Sequence, residues 1–327
     1  MAYFMTETPF KVCIIEAPAK INLHLKIGEK RPDGYHDLES IFVPLAFGDT
    51  LRFQAVNTVF CPISHDDLIW KAVSLFRERS GCGFGLGIEV EKRIPLGAGL
   101  GGGSSDAAST LIALNLLAGG IFSMEELHEM AAFLGSDVPF FLYDGAAFVS
   151  GRGEIIKPVK TPENLWVVLV KPPFSSNTAA AFQMLDYSRM DKGTLYGESV
   201  SPKPFSQKPV SQKTVSQKPV SQKRLIRALK KNPLSWPYFN DFLPLFLGLN
   251  PAAPKEAGVN AGILDANLEA LREAGASFTG LSGSGSTCFG VFSSKEKAEK
   301  AEKSLSGQEN FTKLSFFLAR KTDPVLE

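Results

Sequence analysis

Cysteine is scarce and unpatterned in this chain. Cys13, Cys61, Cys82 and Cys288 form no CxxC pair, whereas a disulfide-stapled secreted domain is smaller and denser in cysteine. A reducing compartment, the cytoplasm by default, is therefore expected. Cys61 and His65 could share a metal ion, but structural zinc needs four ligands and no second pair lies nearby. An excess of charge is lacking too. The 35 Lys and Arg against 34 Asp and Glu leave +1, so no global field draws the chain toward nucleic acid or an anionic surface. No apolar stretch nears the roughly 20 residues that cross a bilayer. Residues 1–10 hold Glu7 and no apolar run flanked by bases, so neither a membrane span nor a secretory signal is expected.

What is present is enough apolar residue, 44% of 327, to bury a large core, at a length that usually divides into two domains. Ile21, Leu23, Leu25 and Ile27 alternate with Asn22, His24 and Lys26, which predicts a half-buried strand with Lys20 and Asn22 on its polar face. Arg31-Pro32-Asp33-Gly34 is a turn signal, and residues 38–45 should be the hairpin partner. Asp66 or Asp67 can cap a helix ended by Gly81. Residues 88–94 read as a strand, and helical spacing follows from Ala107 to Leu117. Ser123-x-x-Glu126 is a capping box for a helix ending near Gly135. Further strands are expected over 146–150, 165–171, 288–292 and 314–319, with helices near 178–185, 264–274 and 295–305. That order predicts an α+β protein whose second domain holds a compact sheet, the boundary falling between 155 and 164.

Residues 206–223 repeat a Ser-Gln-Lys-Pro-Val unit. This composition cannot bury enough apolar surface to offset ordering entropy, so a disordered or irregular insertion at about 198–223 is expected. No acidic residue occurs from Ser199 to Asn240, and Arg224, Arg227, Lys230 and Lys231 extend the basic stretch. A solvated linker is the simple reading. A weak contact with nucleic acid is the alternative, and a nucleotide-binding sensor without catalysis is the rival that would use it.

Pro95, Leu96, Gly97, Ala98, Gly99, Leu100, Gly101, Gly102, Gly103, Ser104 and Ser105 lie between a predicted strand and a helix expected to open at Ser104-Ser105-Asp106. Glycines let backbone N–H groups converge without Cβ obstruction, and a helix N-terminus adds unpaired donors and partial positive charge. Together they make a phosphate cradle, where Ser104 or Ser105 can add a hydroxyl or a link to Mg²⁺. Gly97-x-Gly99-x-x-Gly102 matches the dinucleotide fingerprint formally, but the acidic residue expected about 20 positions later is missing. Nor does a lysine stand where a Walker loop needs one. A flexible hinge is the non-functional reading. Phosphoryl transfer also requires a group to prepare the attacking hydroxyl. Asp137 and Lys20 are candidates, though Asp137 could merely stabilise a turn and Lys20 could be a rim charge.

Four blocks occur in the order found in the GHMP kinase superfamily: Pro18-Ala19-Lys20-Ile21-Asn22-Leu23, residues 95–105, Gly135-Ser136-Asp137-Val138-Pro139-Phe140, and Gly280-Leu281-Ser282-Gly283-Ser284-Gly285. With Arg31-Pro32-Asp33-Gly34-Tyr35-His36 the chain resembles the branch acting on CDP-methylerythritol in the non-mevalonate isoprenoid route. The resemblance spans nearly everything except the repeat; Asn240-Asp241-Phe242 rejoins it. It implies a ribosomal-S5-like α/β domain over 1–160 and a ferredoxin-like α+β domain over 161–327, with the active site between them. It further implies ATP and Mg²⁺, a small-molecule substrate, and a monomer or homodimer. By the same resemblance Asp137 is the base for the C2 hydroxyl, and Lys20 beside it balances the developing alkoxide. Asn22 would bond the erythritol hydroxyls and Tyr35 would stack on cytosine. His36 would bond that ring's edge, Phe182 would cover its other face, and Thr178 would touch substrate. Phe182 could instead be core. The block around Ser282 would support the phosphate loop. Whether Asp106 touches Mg²⁺ or only caps a helix stays open, and His24, His65 and His128 read as surface or satisfied histidines. Another superfamily member with a different acceptor is the nearest rival.

Overall fold

The computed structural model describes residues 12–56, 64, 66–82, 85–194, 221–248, 259–307 and 309–327. Two long strands, β1 (Val12–Lys30) and β2 (His36–Val56), form a hairpin around the predicted turn. Gly34 there takes a φ of 86° and its N–H bonds the Arg31 carbonyl at 3.0 Å. The hairpin register shifts at Pro18/Lys20, Asn22/His24 and Ile27/Lys30, and such irregularities bend a ladder too long to stay flat. β3 (Gly85–Glu91), β4 (Ala147–Gly151) and β5 (Ile155–Pro158) complete the antiparallel framework of the first sheet. Against it lie α1 (Leu68–Ser80), α2 (Gly102–Leu117) and α3 (Met124–Leu134). Asp67 caps α1, Gly81 ends it in the left-handed region, and the Ser123–Glu126 capping box forms on α3 as expected.

The second sheet runs β7 (Phe278–Leu281), β8 (Cys288–Phe292), β6 (Trp166–Lys171), β9 (Phe311–Phe316), all pairs antiparallel. In chain order its elements are β6, α4 (Thr178–Thr194), α5 (Gln222–Ala228), α6 (Phe242–Phe246), α7 (Ala261–Glu273), β7, β8, α8 (Lys295–Leu305) and β9. With α4, α5 and α6 set aside, that is the βαββαβ ferredoxin-like arrangement. A final strand, β10 (Val325–Leu326), returns to pair with β1, so the tail of the chain finishes the first sheet.

Several local expectations shift. β1 is buried on both faces through its middle, with Lys20, Asn22 and His24 as inaccessible as Ile21 and Leu23. The cause is the second lobe: the Leu25 N–H bonds the Phe239 carbonyl at 2.8 Å, and one apolar cluster joins Ile21, Leu23 and Val43 to Trp236, Tyr238 and Phe289. β3 ends at Glu91, short of Ile94, because the Asp49 carboxylate takes the next amides, those of Arg93 and Ile94. β9 begins and ends earlier than predicted, since the chain past Phe316 crosses to bond Pro44 and Leu45 of β2. The last repeat unit, Ser221-Gln222-Lys223, is not irregular: Ser221 stands at the N-cap of α5. The rest of the repeat, Cys61 and His65 lie outside the described residues.

Candidate active site

The glycine segment forms the floor of a cleft of about 340 Å³ between the two sheets' helices. Its shape is enforced by contacts that only glycine allows. Gly99 has a φ of 75°, and a Cβ there would lie 2.1 Å from the Ser282 carbonyl oxygen. Gly101, φ 72°, is the N-cap of α2, and its Cβ would meet Phe141 and the Lys20 stem. α2 thus begins at Gly102, two residues before the expected start, so the glycines themselves form its first turn and present its unpaired amides. The second glycine block braces this loop. Ser282 Oγ donates to the Gly99 carbonyl at 2.9 Å, and the Thr287 N–H bonds the Ala98 carbonyl at 3.2 Å. Residues 95–104 all line the cleft, whereas Ser105 is fully buried behind it.

Over the floor stands Lys20, tied to the loop by its own amide, which bonds the Leu100 carbonyl at 2.9 Å. It is not a rim charge: the residue is 3% exposed. Its ammonium lies 3.2 Å from Asp137 Oδ2, 2.7 Å from Asn22 Oδ1 and 4.6 Å from the centre of the Phe42 ring. Asn22 in turn donates to Ser40 Oγ at 3.0 Å, and Ser40 donates to the His24 carbonyl. The turn carrying Asp137 is closed by backbone, Val138 N–H to Gly135 carbonyl at 3.2 Å, which leaves the Asp137 side chain facing Lys20 and the cleft. Lys20, Asn22 and Asp137 all line it.

A second lysine, Lys92, bridges Asp49 and Asp106. Burial works against its ammonium, but bonds to both carboxylates prevail and raise its pKa. Burial pushes Asp106 up to about 7 in spite of Lys92, with Asp49 adding to the rise. Lys92 lines the cleft beside the loop. Asp49 was not foreseen, since a lone acid within a strand leaves no local pattern.

The match to the GHMP kinases N terminal domain covers residues 67–145, and that to the GHMP kinases C terminal covers residues 238–310. A 4-diphosphocytidyl-2-C-methyl-D-erythritol kinase of Thermodesulfovibrio yellowstonii is 35% identical across 89% of this chain and 94% of its own. The same kinase of Syntrophus aciditrophicus is 32% identical over 88% and 92%. The chain belongs to this kinase family. A chloroplastic relative from Oryza sativa is 43% identical, but the match spans 52% of this chain and less than half, 45%, of that longer protein. The crystal structure of a 4-(cytidine 5'-diphospho)-2C-methyl-D-erythritol kinase superposes with a TM-score of 0.69 at 29% identity, over 92% of this chain and 98% of that one. Homoserine kinase from Cytophaga hutchinsonii, TM-score 0.63 at 17% identity, shares the fold.

Of the remaining residues that the family resemblance singled out, Thr178 and Phe182 line the cleft, whereas Tyr35 and His36 do not. Thr178 opens α4 and its hydroxyl is 2.9 Å from Ser284 Oγ; both line the cleft. Phe182, one turn on, lines it too while its edge packs on Phe242 of the second lobe's core. His36 is the ring stacked on Phe182, with centroids 5.0 Å apart and planes 27° from parallel. His36 is buried, and Asp186 reaches its Nε2 at 2.7 Å. Tyr35 stays 53% exposed, its ring under the Arg152 guanidinium at 4.9 Å. Asp186 was missed, and its spacing of four from Phe182 was the only available signal. His24 and His128 are satisfied histidines: the first meets the Phe239 amide and ring, the second Tyr143 Oη at 3.0 Å. Burial, with Lys26 nearby, lowers His24 to about 4.

Proposed function

We propose that the chain is an ATP-dependent kinase that phosphorylates the 2-hydroxyl of 4-diphosphocytidyl-2-C-methyl-D-erythritol, a step of non-mevalonate isoprenoid synthesis. The observation that carries this reading is the Lys20–Asp137 pair, 3.2 Å apart, in the same cleft as the glycine loop. The loop and the first turn of α2 hold the triphosphate through backbone amides. Asp137 accepts the proton of the 2-hydroxyl as its oxygen bonds to the γ-phosphorus. The bond from phosphorus to the β,γ-bridging oxygen breaks, and ADP leaves with that electron pair. Lys20 stands where charge develops on the attacking oxygen. Asn22 and Thr178 offer polar groups to the erythritol portion, and Tyr35, His36 and Phe182 form the cytosine end.

Mg²⁺ is the natural companion of such a triphosphate, held mainly by phosphate oxygens and water. Two buried oxygens in the first turns of α2, Ser105 Oγ and Asp106 Oδ1, have no hydrogen-bond partner and suit an oxygen-seeking cation. When bound it would draw charge off the phosphates. The enzyme would work in the cytoplasm, as monomer or homodimer, on a soluble substrate; among the described residues no helix is long and apolar enough to cross a membrane.

A coupled ADP-release assay tests the reading with three acceptors: the cytidine diphosphate compound, mevalonate and homoserine. Turnover is expected with the first alone. Turnover with either of the others, and none with the first, sinks it.

A further inference from the structure

We infer that Asp186 is a positioning residue that fixes the His36 ring with hydrogen on Nε2 and a lone pair on Nδ1, making the site beside Phe182 select cytosine over uracil. The inference rests on the proposed cytidine-bearing substrate.

Thr178, Phe182 and Asp186 are spaced by four on α4 and so share one face of that helix. The first two line the cleft, and Asp186 lies one turn beyond them. Its two oxygens are divided: Oδ1 is 2.7 Å from His36 Nε2, and Oδ2 is 3.1 Å from Lys30 Nζ. Burial works to raise this carboxyl, but the bonds from His36 and Lys30 prevail and hold it below the usual carboxylate range. An ionised carboxylate is an acceptor only, so the hydrogen in the short contact sits on Nε2. A neutral ring with hydrogen on Nε2 has its lone pair on Nδ1.

Phe182 stacks on the ring and sets its plane, so the Nδ1 lone pair has a fixed direction. Nδ1 has no protein partner among the described residues and is not a buried orphan. Cytosine and uracil differ at the fourth ring position, an amino donor in one and a carbonyl acceptor in the other. A fixed acceptor pairs with the donor and faces the carbonyl lone pairs unfavourably. Sites that hydrogen-bond a defining group in this way discriminate by up to roughly 10⁴-fold.

Two measurements on the full-length protein test this. The first is the ¹⁵N spectrum of the histidine rings at neutral pH, with His36 assigned by loss of its signals in His36→Gln. The wild type should show hydrogen on Nε2, and Asp186→Asn should show a mixture. The second is steady-state kinetics with the cytidine and uridine forms of the substrate. Asp186→Asn, whose amide can offer Nε2 either a donor or an acceptor, should raise KM for the cytidine form by about tenfold or more, leave kcat and KM for ATP little changed, and cut the cytidine-to-uridine preference by at least about tenfold. Asp186→Glu, which keeps the acceptor, should recover part of that preference. A wild-type ring with its hydrogen on Nδ1, or an undiminished preference in Asp186→Asn, overturns the inference. If the wild type turns over neither compound, the substrate reading fails separately, and the nitrogen spectrum still decides the tautomer.

Discussion

Two lysine–carboxylate clusters flank the same glycine loop, and they differ in what water and substrate can reach. Lys20 faces Asp137, whose side chain is 31% exposed to the cleft. Lys92 faces Asp49 and Asp106, whose side chains are 0% and 3% exposed. The half-open carboxylate has room to receive a proton from a bound molecule. Of the closed ones, Asp49 has its acceptors committed: it takes the Arg93 amide at 2.5 Å, the Ile94 amide at 2.7 Å and the Lys92 ammonium. Similar chemical groups therefore serve different ends. One cluster is free to take part in reaction, and the other sets where the loop begins and where its lysine points.

The largest effect should come from the open cluster. Asp137→Asn removes a base while keeping shape, and a positioned base contributes on the order of 10³-fold. The variant's kcat should fall by about that factor while its nucleotide affinity stays near wild type; near-normal turnover would break the comparison at its first term. The closed cluster should respond in the opposite currency. Asp49→Asn leaves an amide hydrogen facing Lys92 and weakens the tie to the loop. Lys92 is itself partly exposed and can turn to water, so the loss should be roughly 2 kcal/mol rather than the larger cost of a fully buried pair. Urea unfolding at neutral pH measures it. A variant that unfolds like wild type yet loses turnover as severely as Asp137→Asn would show that the two clusters are not divided in this way.

The legibility of these parts in the sequence follows their range along the chain. The Asp67 cap, the Ser123 capping box and the Gly34 turn could be read because each is satisfied within a few residues. The glycine loop could be read because its composition is costly unless backbone must approach something closely. The adjacency of Lys20 and Asn22 followed from strand alternation. Asp137 needed the family's motif order to be chosen over a turn role. What stayed hidden has partners far away: Asp49 meets residues 43 and 45 positions on, and Asp186 meets His36 across 150. The burial of His24 and His36 was hidden for the same reason, since a second lobe covers them and no periodicity in β1 or β2 records it.

The smallest effect concerns the sign of a slope within the closed cluster. Asp106 has its pKa raised from 3.8 to about 7, chiefly by burial. Between those two values the folded protein holds a proton that the unfolded chain has released, so this carboxyl makes stability fall as pH rises from about 4 to 7. The full slope for one proton is about 1.4 kcal/mol per pH unit. Lys92, free to move with the charge, should leave a net change on the order of 1 kcal/mol between pH 5 and 8. Asp106→Asn cannot titrate and should lose that component. The measurement is the urea midpoint of both proteins across this range, where the variant's curve should be flatter and its relative stability best at the alkaline end. A wild-type curve that instead rises with pH relative to the variant would mean that Lys92 outweighs burial, and that Asp106 is a charged partner like Asp49.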